Sequence, residues 1–140
     1  KWTSEVDDTL DELFGLHPPS WLLVRQTAET ILHLARIGNV IIVGRGANVV
    51  TWKVEGTLHV RLVRSVEKRL QRIQKTDKLG PKEALAFIRR EDKGRGYYLK
   101  KYYDKDIDDP LLYHLVINTD LISDEGAARV IFNYALEKER

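Results

Sequence analysis

Helical periodicity is the main feature of the hydrophobic and polar pattern along the chain. After Ser20, apolar residues recur three or four positions apart as far as Ala35, so they share one face of a helix. Ser20 is a preferred N-cap residue, and Gly38 is the residue type that ends helices. The same periodicity follows the capping residues Ser4, Ser65 and Ser123 and the first-turn proline Pro81, and it predicts a helix that begins at each of them. One more helix is predicted over 94–103.

Three short apolar runs predict strands. Val40–Val43 has four β-branched residues and no polar alternation, which is typical of a strand that is covered on both faces. His59–Val63 and Tyr113–Ile117 predict two more strands, whereas 49–58 is ambiguous because Glu55-Gly56 also fits a hairpin turn. Strands that alternate with long helices predict the α/β class, as a three-layer parallel sheet with flanking helices.

The composition predicts one water-soluble domain over residues 1–140. The chain is 43% hydrophobic, and no apolar run approaches the roughly 20 residues needed to cross a bilayer, so we expect no membrane partner and a cytoplasmic location. The chain has no cysteine, and its four histidines lack metal-ligand spacing, so no disulfide, thiolate chemistry or metal site is predicted. It begins with Lys1 and has no methionine, from which we expect a fragment that lacks upstream sequence.

Positive charge is concentrated in the middle of the chain. The net charge of the whole chain is only +2, but residues 61–101 contain 14 Lys and Arg against five Asp and Glu, a net charge of +9. The flanking segments together carry −7. A basic centre indicates that this third of the chain binds an anion.

Gly44-Arg45-Gly46 directly follows the first predicted strand. Ligands of parallel α/β sheets bind at the carboxyl ends of strands, and the two glycines allow a sharp turn and a close backbone approach. Arg45 is therefore expected where its guanidinium can bind a phosphate or a carboxylate. The alternative is a tight turn that carries a solvated arginine.

More arginines follow the second predicted strand. Arg69 and Arg72 share one helix face, and Arg95 lies farther along the chain with Asp92. Guanidinium groups stay charged at physiological pH and bind phosphate oxygens bidentately, so a convergent set suits phosphoryl transfer. The alternative is a solvated helix face with local ion pairs. Such pairs are Glu67–Arg64 and Glu91–Arg95.

A tyrosine cluster lies among basic residues in the same region. We interpret the four rings as residues that pack beneath a lid, and the alternative is stacking on nucleic-acid bases. The cluster is Tyr97, Tyr98, Tyr102 and Tyr103.

Taken in order, these segments resemble the cytidylate kinase-like proteins, which are P-loop kinases related to bacterial cytidylate kinase. The resemblance covers nearly the whole chain and is strongest from Gly38 onward. The matching segments are Ile41–Asn48, Leu58–Val63 leading into Arg69-x-x-Arg72-Ile73, Ile88-x-x-x-Asp92-x-x-Arg95, and Tyr113–Thr119.

The resemblance implies a P-loop nucleotide kinase fold and transfer of phosphate from ATP to a nucleoside monophosphate or a similar small acceptor. It also implies a mobile lid over about 75–110. The catalytic residues that it implies are Arg69, Arg72 and Arg95, and the substrate-binding residues are Arg45, Gly44, Gly46 and Asp92.

Two departures limit what the resemblance implies. Cytidylate kinases read Gly-Arg-Asp where this chain has Gly44-Arg45-Gly46, and that aspartate contributes to the acceptor site, which argues against cytidine monophosphate as the acceptor. A P-loop is also missing, since none of the nine glycines is followed by lysine. The resemblance places that loop upstream, so ATP and Mg²⁺ are expected to bind residues before Lys1, and the chain alone is expected to be inactive.

The missing segment also has a structural consequence. In kinases of this type the first strand lies between the strands equivalent to Val40–Val43 and His59–Val63, so its loss exposes two apolar edges. We expect the chain to repack, to pair with a second copy of itself, or to retain an upstream segment.

Two other functions remain open. A kinase-derived module that senses a nucleotide or binds another protein without catalysis fits the same residues. A nucleic-acid binder that uses the +9 segment ranks last, because the chain has no recognised nucleic-acid motif.

Overall fold

The structure is a computed structural model that describes residues 20–138. The helix predicted to begin at Ser4 lies outside these residues. In chain order the elements are α1 (Ser20–Ile37), α2 (Ala47–Val50), β1 (Val60–Val63), α3 (Val66–Asp77), α4 (Pro81–Tyr103), a 3₁₀ turn (Pro110–Leu112), β2 (Leu115–Asn118) and α5 (Asp124–Lys138).

The strands β1 and β2 form a two-stranded parallel sheet. Val60 of β1 is opposite Leu115 of β2, and the register continues to Val63 opposite Asn118. Parallel strands need a crossover, which α3 and α4 provide. The prediction of a mixed helix and strand fold with a parallel sheet is therefore confirmed, with strands slightly shorter than the apolar runs.

The predicted strand Val40–Val43 is wrong. This segment has no regular secondary structure, and Ile41 and Val43 are 93% and 88% exposed rather than covered on both faces. The physical reason is that β1 and β2 pair with each other, and neither is hydrogen-bonded to 40–43 within residues 20–138. An apolar β-branched run becomes a strand only when a neighbouring strand supplies its backbone partners.

The two helices predicted on either side of residue 94 form one continuous helix, α4, of 23 residues. Gly94 and Gly96 do not interrupt it, although a glycine inside a helix costs about 1 kcal/mol relative to alanine. Packing offsets this cost, because α4 lies against α3 and buries Ala84, Ile88 and Leu99 along one face.

The predicted caps at Ser65 and Ser123 agree with the structure. The Ser65 hydroxyl accepts a hydrogen bond from the Lys68 backbone N–H, and the Ser123 hydroxyl accepts one from Gly126. Gly38 ends α1 at a φ of +77°, a conformation that favours glycine. These signals are local, so the sequence alone identifies them.

The buried apolar residues come from α1, α4, the 3₁₀ turn, β2 and α5. They are Ile31, Ala84, Ile88, Leu99, Leu112, Ile117 and Ala127.

No helix within residues 20–138 is long and apolar enough to span a membrane.

A histidine pair closes the amino ends of β1 and β2. The backbone N–H of His59 donates to Nδ1 of His114, and the backbone N–H of His114 donates to the His59 carbonyl, at 3.0 and 2.8 Å. The Thr51 hydroxyl lies 2.9 Å from Nε2 of His59, and Trp52 stacks on the His59 ring. Burial, together with the charges of His114 and Lys138, lowers the pKa of His59 to about 4.

We predict that this pair makes the fold sensitive to acid. Below pH 6.5 the unfolded chain protonates His59 while the folded chain does not, so the free energy of unfolding falls as the pH drops from about 6.5 to about 4. The expected loss is about 2–3 kcal/mol, measured by urea unfolding across this pH range with tryptophan fluorescence. His59→Gln should flatten the profile in this window. An equally steep profile in that variant would show that other groups cause the acid sensitivity.

We also predict that the exposed apolar residues of 40–43 drive self-association of the 140-residue chain. Replacing both Ile41 and Val43 by lysine should shift the chain towards monomer in sedimentation velocity experiments, because charge on an unpaired segment opposes pairing. Leu111→Lys is the matched control. Leu111 is 79% exposed at another place on the surface, and its replacement should leave the oligomeric state unchanged. A wild-type chain that is a stable monomer would contradict this prediction.

Candidate functional site

Polar residues interrupt the inward face of α4. Ala84, Ile88 and Leu99 are buried on this face, and by helical spacing Asp92 and Arg95 lie on the same face between Ile88 and Leu99. A helix face that packs against a neighbour is normally apolar throughout. The interruption therefore marks a place where α4 has a partner other than the apolar core.

That partner is Arg69 of α3. Its Nη1 and Nη2 donate to the two carboxylate oxygens of Asp92 at 2.7 and 2.6 Å, and Nη1 of Arg95 donates to the same carboxylate at 3.2 Å. Arg95 also lies 3.7 Å from Glu91, as the local ion-pair alternative anticipated. Asp92 thus holds two guanidinium groups, from two different helices, in one cluster.

The electrostatics of this cluster follow from its contacts. The hydrogen bonds from Arg69 hold the pKa of Asp92 below its usual value, and the charges of Arg69, Arg95 and Arg61 lower it further. The pKa of Arg69 is raised, mainly by its hydrogen bonds to Asp92. Both groups are therefore ionised throughout the physiological pH range.

A second aspartate holds another pair of arginines. Arg64 follows β1 and donates to Asp124 at 2.6 Å, while Arg72 of α3 lies 3.5 Å from the other oxygen of Asp124. Arg64 also donates to the hydroxyl and the carbonyl of Thr119, which follows β2. The Asp124 cluster therefore lies at the carboxyl ends of both strands.

Around the Asp124 cluster is an open cleft of about 460 Å³. Four of its lining residues are cationic and one is acidic, so it favours an anion. Its lining is Arg64, Lys68, Gln71, Arg72, Lys75, Thr119 and Asp124.

Arg64, Thr119 and Asp124 were not predicted as site residues. Sequence reasoning offered Glu67 as an ion-pair partner of Arg64, because residues three apart on a helix are neighbours. A usable signal was present, since Arg64 and Thr119 each directly follow a predicted strand, where ligands of parallel sheets bind. Asp124 is preceded by the helix-capping Ser123 and has no such signal.

The Gly44-Arg45-Gly46 turn has a left-handed backbone throughout, with φ values of +80°, +54° and +67°. The two glycines adopt this conformation freely, whereas Arg45 is strained in it. The Gly44 carbonyl accepts a hydrogen bond from the Ala47 N–H, and Gly46 is the N-cap of α2. Within residues 20–138 the exposed Arg45 has no ion-pair partner.

The close packing of Gly46 against α4 determines where this turn lies. A Cβ atom at Gly46 would lie 2.8 Å from Cε2 of Tyr103 and 3.6 Å from Cδ1 of Leu99, so the turn packs directly on the end of α4. Leu99 is seven residues, or about 10 Å, beyond Asp92 on the same helix face. The turn and the Asp92 cluster are therefore neighbours along α4.

The structure thus brings together Arg69, Asp92 and Arg95, with the Arg45 turn next along the same helix face. It separates Arg72 from them, because residues three apart on α3 reach different partners, Asp92 and Asp124. Direct contacts between Arg45 and the Asp92 cluster are not present among the described residues. The functional roles of all seven predicted site residues stay predictions.

Comparison with known proteins gives three findings. A model of the cytidylate kinase-like family matches residues 8–121. A cytidylate kinase of Pyrococcus horikoshii is 33% identical over 118 residues, which are 83% of this chain and 58% of that protein. The crystal structure of an uncharacterized protein from Eubacterium ventriosum has a TM-score of 0.70 at 18% identity, over 89% of this chain and 70% of that one.

These findings differ in what they support. The likeness to the Eubacterium ventriosum protein concerns the fold alone, because the identity is low. The family match includes every predicted site residue and ends before Asp124. The chain spans 58% of the length of its Pyrococcus relative.

We predict that the Arg69–Asp92 pair stabilises the contact between α3 and α4. In a double-mutant cycle with Arg69→Ala and Asp92→Ala, we expect a coupling energy of about 1 kcal/mol, because the pair is bidentate but its side chains are 26% and 46% exposed. The matched control is Arg72 with Asp124, which are 3.5 Å apart and more exposed. Equal coupling energies in both cycles would contradict the prediction that the Arg69–Asp92 pair stabilises the contact between α3 and α4 more than an ordinary exposed ion pair does.

Proposed function

The chain belongs to the cytidylate kinase-like family, and from this we propose that it forms the acceptor-binding, lid and C-terminal part of a nucleotide kinase. The proposed reaction transfers phosphate from ATP to a nucleoside monophosphate or a similar small acceptor. The observation that carries the proposal is that the Arg69–Asp92–Arg95 cluster and the Arg45 turn lie on the same face of α4, about two helical turns apart.

In the proposed mechanism Asp92 is a positioning residue. A transferring phosphoryl group spreads negative charge over its equatorial oxygens, and fixed donors stabilise that charge without reorganising. Asp92 uses two of the five N–H donors of Arg69, so three remain for a phosphate. With Glu91 3.7 Å from Arg95 these four groups have no net charge, so an incoming anion is favoured by the free N–H donors of the two arginines.

Arg45 is proposed to bind the phosphate of the acceptor. Its guanidinium is exposed, and its strained backbone is of the kind that persists where the surrounding fold enforces it. Arg69 and Arg95 are proposed to contact both the acceptor phosphate and the phosphoryl group that is transferred to it. Arg72, in the cleft with Arg64, is proposed to contact phosphates from the Asp124 cluster.

ATP and Mg²⁺ are proposed to bind outside these residues. The chain has no Gly-Lys pair of a P-loop, the motif whose backbone and lysine hold the phosphates of ATP and whose hydroxyl binds Mg²⁺. Phosphoryl transfer is expected only from the full gene product.

The three-layer P-loop fold is likewise proposed for the full protein. A further strand is proposed to lie between 40–43 and β1. The exposure of Ile41 and Val43, together with Leu62 of β1 at 58%, supports this because each would be covered by such a strand.

A second candidate is a module that binds a nucleotide without catalysis. Anion binding by the Asp92 cluster needs no P-loop lysine, and the chain has no Gly-Lys pair, which favours this candidate. The discriminating experiment is a phosphoryl-transfer screen of the full gene product with ATP, Mg²⁺ and the four ribonucleoside monophosphates. Turnover supports the kinase, and binding without turnover supports the module. A protein that shows neither turnover nor binding would contradict both candidates.

We predict that Arg69→Gln lowers kcat/KM of the full gene product by about 10²–10³-fold, because one fixed donor to the transition state is lost. Arg69→Lys should recover only part of this, since lysine cannot hold Asp92 bidentately. Arg89→Gln is the matched control, because Arg89 is exposed on α4 and has no ion-pair partner among the described residues, so its replacement should leave kcat/KM unchanged. Equal losses at 69 and 89 would indicate a general effect of charge.

A further inference from the structure

The outer face of α4, which lies opposite the buried Ala84, Ile88 and Leu99, is strongly basic. Helical spacing places six cations on it between Lys82 and Lys101, which are about 28 Å apart along the helix axis. All six side chains belong to exposed residues. The cations are Lys82, Arg89, Arg90, Lys93, Lys100 and Lys101.

Little negative charge balances this outer face. Lys100 donates to Asp104 at 2.5 Å, and both side chains are exposed. Arg89 and Lys93 have no ion-pair partner among residues 20–138. They are one helical turn apart, and like charges at that spacing repel each other. The outer face therefore favours a partner that brings several negative charges along the length of the helix.

An exposed aromatic ring lies within the row of cations. Tyr97 is one turn beyond Lys93 on the outer face and is 51% exposed. Nζ of Lys101 lies 5.4 Å from the centre of the Tyr97 ring. Proteins that bind single-stranded nucleic acid combine these two features, because cations contact the phosphates while bases stack on aromatic rings.

Other polyanions use fewer of these features. Between Lys82 and Lys101 the outer face has no large aliphatic side chain, whereas a helix that lies in a membrane surface inserts such side chains. An acidic protein would pair with the cations but has no bases to stack on Tyr97. A nucleic-acid strand uses both the cations and the ring.

We propose that the outer face of α4 binds single-stranded nucleic acid, with its cations on the phosphates and one base stacked on Tyr97. This surface is separate from the proposed kinase site, because the cluster of Arg69, Asp92 and Arg95 lies on the inward face of the same helix. A mononucleotide brings a single phosphate to the outer face, whereas a strand brings one for each nucleotide. Binding of the strand is therefore independent of the kinase reaction.

The test is fluorescence anisotropy of the full gene product with a labelled single strand of about 20 nucleotides, over a range of salt concentrations. If all six cations contact phosphates, the logarithm of the binding constant falls with the logarithm of the salt concentration with a slope of about −4. In the triple variant Arg89→Gln, Arg90→Gln, Lys93→Gln the slope should be about −2. Its affinity at about 100 mM salt should be at least about tenfold lower.

A matched triple variant separates this surface from a general effect of charge. Arg25→Gln, Arg36→Gln and Lys53→Gln remove the same charge from exposed positions outside α4. We expect this control to change the affinity less than about twofold, since its cations are not placed along the strand.

Replacement of Tyr97 tests the stacking contact by itself. Tyr97→Leu should weaken binding of the single strand about tenfold and leave the salt slope unchanged, because it removes a ring and no charge. Tyr97→Phe keeps the ring and should keep the wild-type affinity. A duplex of the same sequence, whose bases are already stacked, should bind Tyr97→Leu and the wild type equally.

Four results would overturn the proposal. The first is a wild type without measurable affinity for the strand, and the second is an equal loss in the two triple variants. The third is an unchanged affinity in Tyr97→Leu, which excludes stacking. The fourth is displacement of the strand by poly-L-glutamate at an equal concentration of charge, which shows that the surface recognises an acidic polypeptide.

The outcome is distinguishable from that of the kinase proposal. A full gene product that binds the strand through the outer face but transfers phosphate to no mononucleotide would refute the kinase and support this inference.

Discussion

The bidentate pair between Arg69 and Asp92 is the interaction on which the arrangement of this protein depends. It joins α3 to α4 at the place where the inward face of α4 changes from apolar to polar. Because Asp92 also holds Arg95, one carboxylate fixes two guanidinium groups that would otherwise repel each other. The same contact thus stabilises the helix pair and concentrates guanidinium groups at one site.

The long helix α4 positions both the Arg69–Asp92 contact and the Arg45 turn. Its core-facing residues Ile88 and Leu99 fix its position on both sides of Asp92, and its last residue, Tyr103, holds the Arg45 turn. A glycine-rich turn and a charged cluster that are far apart in sequence are therefore placed by one rigid element. This is the geometric basis for the proposal of phosphate recognition in a cytidylate kinase-like protein.

The features that were predicted correctly from the sequence are those that depend on interactions between residues close together in the chain. The caps at Ser65 and Ser123, and the end of α1 at Gly38, depend on residues within one turn and were predicted correctly. The state of 40–43 depends on a distant partner strand, and the continuity of α4 through Gly94 depends on packing against α3, so neither was predicted. Within the site, spacing placed Arg69 and Arg72 on one face, but their partners come from different helices.

The central claim is that the Asp92 cluster binds the phosphate of an acceptor nucleotide. Its most direct test is the side-chain NMR signals of the arginines in the full gene product, recorded as a ribonucleoside monophosphate and its matching nucleoside are added in turn. We predict that the Nε signals of Arg69 and Arg95 shift with the nucleotide and not with the nucleoside, while Arg89 stays unchanged. Signals of Arg69 and Arg95 that do not move when the nucleotide binds would contradict the claim.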